Sequence, residues 1–303
     1  MYDVTLFGLK FSLDPIAFTL PIGEDGWPIH WYGIIIATGF LLAIFYGMKN
    51  AKRLGIDNDK MLDVVIVTTP VAIVCARLYY ILFDPNRPEN VKFFSSDGLS
   101  GIGIYGAVIG AFACGALMCK IKKIKIFDMF DLAALGFLIG QGIGRWGNFV
   151  NQEAYGTFTG SSWWGMTSGR IASEMGSSDL VHPCFLYESI WCIAGFFLLH
   201  HFSKKRRFSG QITLMYCVWY GFERAIVENL RTDSLMLWGP IRVSVVVSVV
   251  IFLGALITFI ILYKKKRTTI KDGTYAPMFD DEMSDELTAE YEEISEPEEI
   301  SNE

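Results

Sequence analysis

Long apolar runs separated by short polar segments dominate the hydrophobic pattern of this 303-residue chain. A helix needs roughly 17–25 predominantly apolar residues to cross a bilayer. Seven stretches of that size occur, near residues 31–48, 62–83, 101–119, 131–149, 184–202, 209–228 and 241–263. The pattern therefore predicts an all-α polytopic membrane protein built as a bundle of seven transmembrane helices.

Basic residues occupy every second junction between these stretches. The clusters follow the first, third, fifth and last predicted spans, and they comprise Lys49, Lys52, Arg53 and Lys60; Lys120, Lys122, Lys123 and Lys125; Lys204, Lys205, Arg206 and Arg207; and Lys264, Lys265, Lys266 and Arg267. Short loops rich in lysine and arginine face the cytoplasm. This alternation predicts an N-terminus outside the cell and a C-terminus in the cytoplasm.

The two ends of the chain differ from the membrane domain, residues 31–263. Residues 1–30 contain no basic segment followed by an apolar one, as a cleaved signal peptide would, and we interpret them as an external interfacial arm. Residues 264–303 begin with a basic stop. From residue 272 onwards they hold 13 of the 32 acidic residues and no basic one. Such a composition predicts a disordered cytoplasmic tail.

Composition excludes several classes of function. Hydrophobic residues make up 52% of the chain, which is not typical of a soluble globular protein. Walker loops, dinucleotide fingerprints and GxSxG elbows do not occur, and the six cysteines lie inside predicted spans without a CxxC pair. We expect no metal site, no cofactor and no nucleic-acid partner.

Polar residues gather at the end of the fourth predicted span. Gly136, Gly140 and Gly144 recur every four residues along it, and close packing of another helix explains this stripe fully. Packing does not explain the polar residues that follow, which are Arg145, Asn148, Asn151 and Glu153. Since ionisable and polar groups at membrane depth usually mark a functional site, we interpret this segment as the candidate site.

The sixth predicted span carries a second polar face. Tyr220, Arg224 and Glu228 are spaced by four residues and therefore share one side of a helix. An Arg224–Glu228 ion pair that merely neutralises both charges is the alternative interpretation. Arg77 in the second span and Glu188 in the fifth are further buried charges, either functional or a structural pair.

Arginines at the outer leaflet suit a phosphate ligand. A guanidinium binds phosphate through a planar fork and stays charged when partly desolvated. Nearby hydroxyl and amide groups can complete the hydrogen bonds without adding charge, and the candidates are Tyr32, Tyr105, Asn148 and Asn151. The residues therefore favour the headgroup of an anionic phospholipid.

At these positions the chain resembles a known family. The run Gly144-Arg145-x-Gly147-Asn148-Phe149-x-Asn151-x-Glu153-x-x-Gly156 is similar to the signature of prolipoprotein diacylglyceryl transferases of bacteria. Further similarities lie in His30-Trp31-Tyr32-Gly33, Ala76-Arg77-Leu78-Tyr79-Tyr80, His182-Pro183 with Tyr187-Glu188, and Tyr220-Gly221-x-x-Arg224 with Glu228. The acidic tail is not part of this resemblance.

The resemblance implies a reaction, its partners and a location. The enzyme would transfer the diacylglyceryl group of phosphatidylglycerol to the lipobox cysteine in the signal peptide of a prolipoprotein, forming a thioether and releasing glycerol phosphate. It would lie in the bacterial plasma membrane with its active site toward the outer leaflet.

The resemblance also implies roles for individual residues. Arg145 and Arg224 would bind the phosphate and stabilise the leaving group. Asn148, Asn151 and Gly156 would belong to the headgroup site, together with Tyr220, and Tyr32 would be an essential aromatic residue. Glu153 and Glu228 would orient the two arginines.

The third span departs from the family. Its motif often reads His-Gly-Gly, whereas this chain has Tyr105-Gly106-Ala107, so a histidine base is absent at this position. Tyr105 is a candidate for that role, but a phenol with a pKa near 10 is a poor base. A hydrogen-bonding role for Tyr105 is the equal alternative.

A transporter or channel for a polar or anionic solute is the competing class of function, because intramembrane charges also line conduction pathways. The seven spans show no evident inverted repeat, and the polar groups gather near one leaflet. This distribution favours a lipid-facing enzyme. A non-catalytic lipid-binding scaffold is a third possibility that only the motif argues against.

Overall fold

The computed structural model describes residues 2–22, 26–83, 103–232, 236–238 and 241–271, most of them in helices. The α-helices of these residues are α1 (Trp31–Asn50), α2 (Asn58–Phe83), α3 (Ile104–Ile121), α4 (Ile126–Asn151), α5 (Gly169–Met175), α6 (Cys184–Ser203), α7 (Gln211–Leu230) and α8 (Val243–Lys271). The predicted tail, from residue 272 onwards, lies outside the described residues.

Six of these helices are long and apolar enough to cross a membrane, judged by length and composition. They are α1, α2, α3, α4, α6 and the Val243–Lys265 part of α8. Helix α7 coincides with the predicted span 209–228, but it carries Glu223, Arg224 and Glu228 within its 20 residues. The prediction of an all-α polytopic membrane protein is confirmed, while the count of seven spans and their orientation stay predictions.

Short strands accompany the helices. They are β1 (Tyr2–Leu6), β2 (Leu9–Leu13), β3 (Ile16–Leu20), β4 (Trp27–His30), β5 (Met166–Ser168), β6 (Met236–Trp238) and β7 (Ile241–Arg242). Strand β1 lies between β2 and β5 in an antiparallel sheet, with Val4 opposite both Phe11 and Ser168. The segment interpreted as an arm is therefore largely β-structure, and part of it pairs with the chain that follows α4.

The glycine stripe of α4 packs against α1, as the sequence predicts. A Cβ atom at Gly39 of α1 would lie 3.4 Å from the Cα atom of Gly140. On either side of this contact, Gly136 faces Ala43 and Gly144 faces Ile36. Small residues let the two backbones approach closely, which is how helices associate where the hydrophobic effect is weak.

A buried aspartate near the start of α4 joins this helix to the start of α7. Asp131 is fully buried and accepts hydrogen bonds from the backbone N–H groups of Gly210 and Thr213, at 3.0 and 2.8 Å. Arg206 lies 2.8 Å from the same carboxylate. Since the first N–H groups of a helix have no intrahelical partner, Asp131 serves as the cap of α7.

The chain divides into two compact units, Met1–Phe259 and Ile260–Glu303. The first contains the strands β1 to β7, helices α1 to α7 and the first part of α8. In the second, the described residues are the last part of α8, which ends at Lys271. The candidate site lies wholly within the first unit.

Candidate active site

A buried carboxylate on α6 is the centre of the site. The Glu188 side chain is 1% exposed, and its Oε2 atom contacts a guanidinium nitrogen of Arg145 in an ion pair. The same oxygen lies 3.4 Å from Nη1 of Arg224, and Oε1 lies 3.6 Å from Nη1 of Arg231. Glu188 thus brings together arginines from the end of α4, from α7 and from the residue that follows α7.

Arg224 has a second carboxylate partner on its own helix. Its Nη2 atom lies 2.7 Å from Oε2 of Glu228, four residues further along. The other oxygen of Glu228 accepts a hydrogen bond of 2.5 Å from the hydroxyl of Ser244 at the start of α8. The predicted alignment of Arg224 and Glu228 on one helix face is confirmed, and the pair is part of a larger cluster.

Glu153 binds the two asparagines of the signature. Its Oε1 atom accepts a hydrogen bond of 2.9 Å from Nδ2 of Asn148 and a longer one of 3.5 Å from Nδ2 of Asn151. The expectation that Glu153 orients Arg145 needs correction, because the ion-pair partner of Arg145 is Glu188. Glu153 instead holds the amide groups that end α4.

The backbone after α4 takes an unusual path. Gln152 and Ala154 have positive φ angles of 54° and 57°, a left-handed conformation that L-residues adopt rarely. Between them, the N–H of Glu153 donates to the carbonyl of Asn148 at 3.0 Å. This turn brings the Glu153 side chain back over the last turn of α4, where the asparagines lie.

Two side chains of the short helix α5, Arg170 and Glu174, form hydrogen bonds with this turn. Arg170 donates from Nη1 to the carbonyl oxygen of Asn151 at 2.8 Å and from Nε to Glu174 at 2.9 Å. Glu174 also accepts a hydrogen bond of 2.5 Å from the hydroxyl of Tyr155. These two hydrogen bonds lower the pKa of Glu174, and the one from Tyr155 has the larger effect.

Tyr32, at the start of α1, faces the signature. A Cβ atom at Gly147 would lie only 2.8 Å from its ring, so the glycine leaves space for the aromatic side chain. Tyr32 is also close enough to Arg145 and Glu153 to interact with them electrostatically. The structure therefore brings Tyr32 into the site that the sequence predicts.

Two further tyrosines border the arginines. Tyr220 is one turn before Arg224 on α7, lies near Arg145 and Arg224, and stacks on Tyr216 at a centroid distance of 5.7 Å. Tyr105, at the start of α3, lies near Arg224 and Glu228. Both predicted tyrosines therefore lie beside the arginine cluster.

Gly156 is confined by its surroundings. Its N–H donates to the carbonyl of His182 at 2.9 Å, and an added Cβ atom would lie 2.7 Å from Cβ of His182 and 3.1 Å from the carbonyl oxygen of Leu230. Gly156 also forms a β-bridge with Arg231. Its clearest role in this structure is to let the signature segment pack between the beginning of α6 and the end of α7.

An apolar cavity of about 620 Å³ lies among α1, α2, α3 and α4. Its lining extends from Tyr32 to Phe130 near the other end of α4, and it includes Phe40, Ala72 and Phe137. Among the described residues that line it, two threonines and one tyrosine carry polar side chains. The cavity therefore suits a long hydrocarbon group whose polar end lies near Tyr32.

The sequence leaves open whether the buried charge of Glu188 is functional or pairs structurally with Arg77, although Glu188 belongs to one of the motifs that resemble the family. It assigns no role to Arg231 or Glu223. Arg77 is 1% exposed, and its guanidinium lies 5.6 Å from the ring centroid of Tyr80. A usable signal existed for Glu188, because it is the one acidic residue in an otherwise apolar span.

The guanidinium groups of the cluster are chemically suited to an anionic ligand such as a phosphate. Each guanidinium carries five N–H donors, and the described ion pairs use only some of them. The carboxylates hold the arginines in place and balance their charge before a ligand binds. Within the described residues, no group of three or more histidine, cysteine, aspartate or glutamate side chains is arranged to hold a metal ion.

Similarity to known proteins extends over most of the chain. A family model described as prolipoprotein diacylglyceryl transferase matches residues 15–261. A protein of Clostridioides difficile named phosphatidylglycerol--prolipoprotein diacylglyceryl transferase is 39% identical over 261 residues, which cover 86% of this chain and 100% of the relative. A protein of the same name from Pediococcus pentosaceus is 40% identical over 273 residues, covering 86% and 94%. The resemblance inferred from the motifs is confirmed, and this chain belongs to the prolipoprotein diacylglyceryl transferase family.

Proposed function

We propose that this enzyme transfers the diacylglyceryl group of phosphatidylglycerol to the lipobox cysteine of prolipoproteins. The glycerol carbon of the lipid exchanges its bond to the phosphate oxygen for a bond to the cysteine sulfur, and glycerol phosphate leaves. The observation that carries this proposal is the cluster of Arg145, Arg224 and Arg231 around buried Glu188. Family membership and the names of the relatives support the same reaction.

The arginines stabilise the leaving group. As the carbon–oxygen bond breaks, negative charge grows on the phosphate, and donors already aimed at it lower the barrier without reorganising. Glu188 and Glu228 keep the guanidinium groups of Arg145 and Arg224 in place by ion pairs. Arg145 and Arg224 therefore bind the phosphate, and Asn148, Asn151 and Tyr220 complete its surroundings.

The attacking thiol must lose its proton. A free cysteine has a pKa of about 8.5, and cationic neighbours lower that value. Because the arginines lie on the phosphate side of the reacting carbon, the group that accepts the thiol proton has to lie on the opposite side. Tyr105 serves mainly as a hydrogen-bond donor to the lipid, close to Arg224.

The apolar cavity supports a lipid substrate. It ends at Tyr32, which also faces Gly147 and lies close to Arg145. A lipid whose phosphate binds the arginines can therefore place an acyl chain among α1, α2, α3 and α4. Because the acyl chain comes from a bilayer that is itself apolar, van der Waals packing and the shape of the cavity, and not the hydrophobic effect, decide how well it binds there.

The site faces the outer leaflet in our proposal, with seven spans, the N-terminus outside and the C-terminus inside. Helix α4 begins just after the basic residues Lys120 to Lys125 and carries Arg145 near its other end. The positive-inside rule assigns its basic end to the cytoplasm. In this proposal helix α7 also crosses the membrane, as the sixth span in chain order, and its charged residues face Glu188 and Ser244, which reduces their cost in the membrane.

A reconstituted reaction tests the function. Purified protein, phosphatidylglycerol vesicles and a lipobox peptide are expected to give a peptide with a thioether-linked diacylglyceryl group and one glycerol phosphate per turnover. A peptide with serine in place of the lipobox cysteine is the matched control and should stay unmodified. If folded wild-type protein leaves the cysteine peptide unmodified, the proposal is refuted.

The transporter alternative makes a different prediction in the same vesicles. A transporter or channel would move a polar or anionic solute across the bilayer and leave the peptide unmodified. The relatives with matching length are named as transferases, which argues against this alternative.

A further inference from the structure

Glu223 is a second buried carboxylate of α7 and has no assigned role. Its side chain is 4% exposed, and neither of its two oxygens has a hydrogen-bond partner within the described residues. Burying a carboxylate without hydrogen bonds is costly, and such groups are rare in native structures. Packing alone does not explain why α7 carries this residue at this position.

The surroundings of Glu223 are those of the phosphate site. It directly precedes Arg224, and it lies close enough to Arg145, Arg231 and Glu188 to interact with them electrostatically. The neighbouring carboxylates are bonded, because Glu188 contacts Arg145 and Glu228 accepts from Ser244. Glu223 is thus in the charged cluster, with both oxygens available as acceptors.

The stereochemistry of the reaction limits what Glu223 can do. Displacement at a glycerol carbon proceeds in line, so the thiol approaches from the side opposite the departing phosphate. A residue among the arginines that bind the phosphate is therefore on the leaving-group side. This position argues against Glu223 as the acceptor of the thiol proton and places it beside the headgroup.

We propose that Glu223 accepts hydrogen bonds from the hydroxyl groups of the phosphatidylglycerol headgroup. This inference rests on the proposed function and specifies how the same site selects its lipid. The glycerol headgroup carries two hydroxyl donors beyond the phosphate, and a carboxylate offers two acceptor oxygens. A headgroup without hydroxyls would leave the buried carboxylate without hydrogen bonds, so a lipid with that headgroup would be a poor substrate.

The test compares two lipids of equal charge. Phosphatidylpropanol is a phosphodiester with a three-carbon headgroup that lacks both hydroxyls, and it retains the same glycerol carbon for attack. Wild-type enzyme is expected to prefer phosphatidylglycerol. Because hydrogen bonds to a charged group are typically strong, Glu223→Ala should lower kcat/KM for phosphatidylglycerol roughly 10- to 100-fold and change that for phosphatidylpropanol about twofold or less.

Two further variants keep the test sharp. Asn229→Ala changes an exposed residue of the same helix and should leave both rates unaltered. Glu223→Gln keeps the size of the side chain and one acceptor oxygen, so its preference for phosphatidylglycerol should fall about three- to tenfold, less than in the alanine variant. It also serves if Glu223→Ala does not accumulate in the membrane.

Equal loss of activity with both lipids would overturn the proposal and reduce Glu223 to a structural residue. A change confined to the pH profile, with the lipid preference intact, would overturn it in favour of a proton-transfer role. Binding can also be measured without turnover, as the rise in melting temperature that a ligand causes. Glu223→Ala should reduce the rise caused by glycerol phosphate and leave the rise caused by propyl phosphate unchanged. Failure of the wild-type reaction would refute the proposed transferase function. If glycerol phosphate and propyl phosphate stabilise wild-type protein equally, the proposed role of Glu223 is refuted.

Discussion

Arg145 of α4 and Glu188 of α6 form an ion pair in which the carboxylate is almost completely buried. Glu188 also faces Arg224 and Arg231, so one carboxylate links the signature segment to α7. Since a buried ion pair is worth little by itself but costs much when one partner is lost, the cluster makes the geometry of the phosphate site depend on Glu188.

Replacing Glu188 should therefore affect both folding and activity. In Glu188→Gln the arginines lose the charge that holds them together, and we expect a loss of stability of about 3–5 kcal/mol with most activity removed. Thermal unfolding in detergent and peptide modification are the measurements. Asp179→Asn, which changes an exposed acidic residue, is the control and should behave like wild type. Unchanged stability in Glu188→Gln would contradict the central place of this carboxylate.

The arginines should not tolerate lysine. In Arg145→Lys and Arg224→Lys the charge remains but the planar fork is lost, so we expect kcat/KM to fall about 100-fold or more. Arg53→Lys, where the arginine donates to Ser203 at the far end of α6, should stay close to wild type. Near-normal turnover in both lysine variants would refute bidentate binding of the phosphate.

Tyr105 distinguishes two mechanisms. If its hydroxyl donates a hydrogen bond to the lipid, Tyr105→Phe should raise the KM for phosphatidylglycerol roughly tenfold and keep the pH–rate profile. If the hydroxyl is the base, Tyr105→Phe should remove most activity, and Tyr105→His should restore some with a profile shifted to lower pH. We expect the first outcome. Kinetics like those of wild type at limiting lipid would leave Tyr105 with a packing role only.

The hydrogen bonds of Glu174 with Tyr155 and Arg170, beside the turn that follows α4, should make the stability of the fold depend on pH. The lowered pKa of Glu174 means that its contacts with Tyr155 and Arg170 stabilise the fold above the ordinary value of 4.5 and lose this effect as the pH falls through the lowered value. Glu174→Gln should be less stable than wild type above that range, by about 0.2–1 kcal/mol because the group is exposed, and should converge with it in acid. Melting temperatures across pH measure this. A constant difference at all pH values would contradict it.

The helices and most of the site were predictable from the sequence. Apolar runs of about 20 residues leave few alternatives to a membrane-spanning helix, and arginine or glutamate inside such a run is rare enough to mark the site. The partner of Arg145 was not predictable in the same way. Glu153 is near it in the sequence, but Glu188 is the carboxylate that the packing of α4 against α6 brings into contact.

The strands before α1 were missed for a related reason. Segments of four or five residues are marginal alone and gain stability from a partner. For β1 that partner includes β5, more than 150 residues away in the chain, and no local pattern signals the pairing. The sequence gives no sign that sets Glu223 apart from the other charges of α7, because its lack of hydrogen-bond partners among the described residues appears only in three dimensions.

The pairing of β1 with β5 also sets an order for biogenesis. Because β1 precedes the first helix and β5 follows the fourth, the three-stranded sheet cannot close until four helices and the signature turn have been synthesised. Non-local strand pairs of this kind form late and slowly. A nascent chain that stops before Met166 has β2 but not β5 to pair with β1, so this sheet is completed only after the first half of the protein has been synthesised.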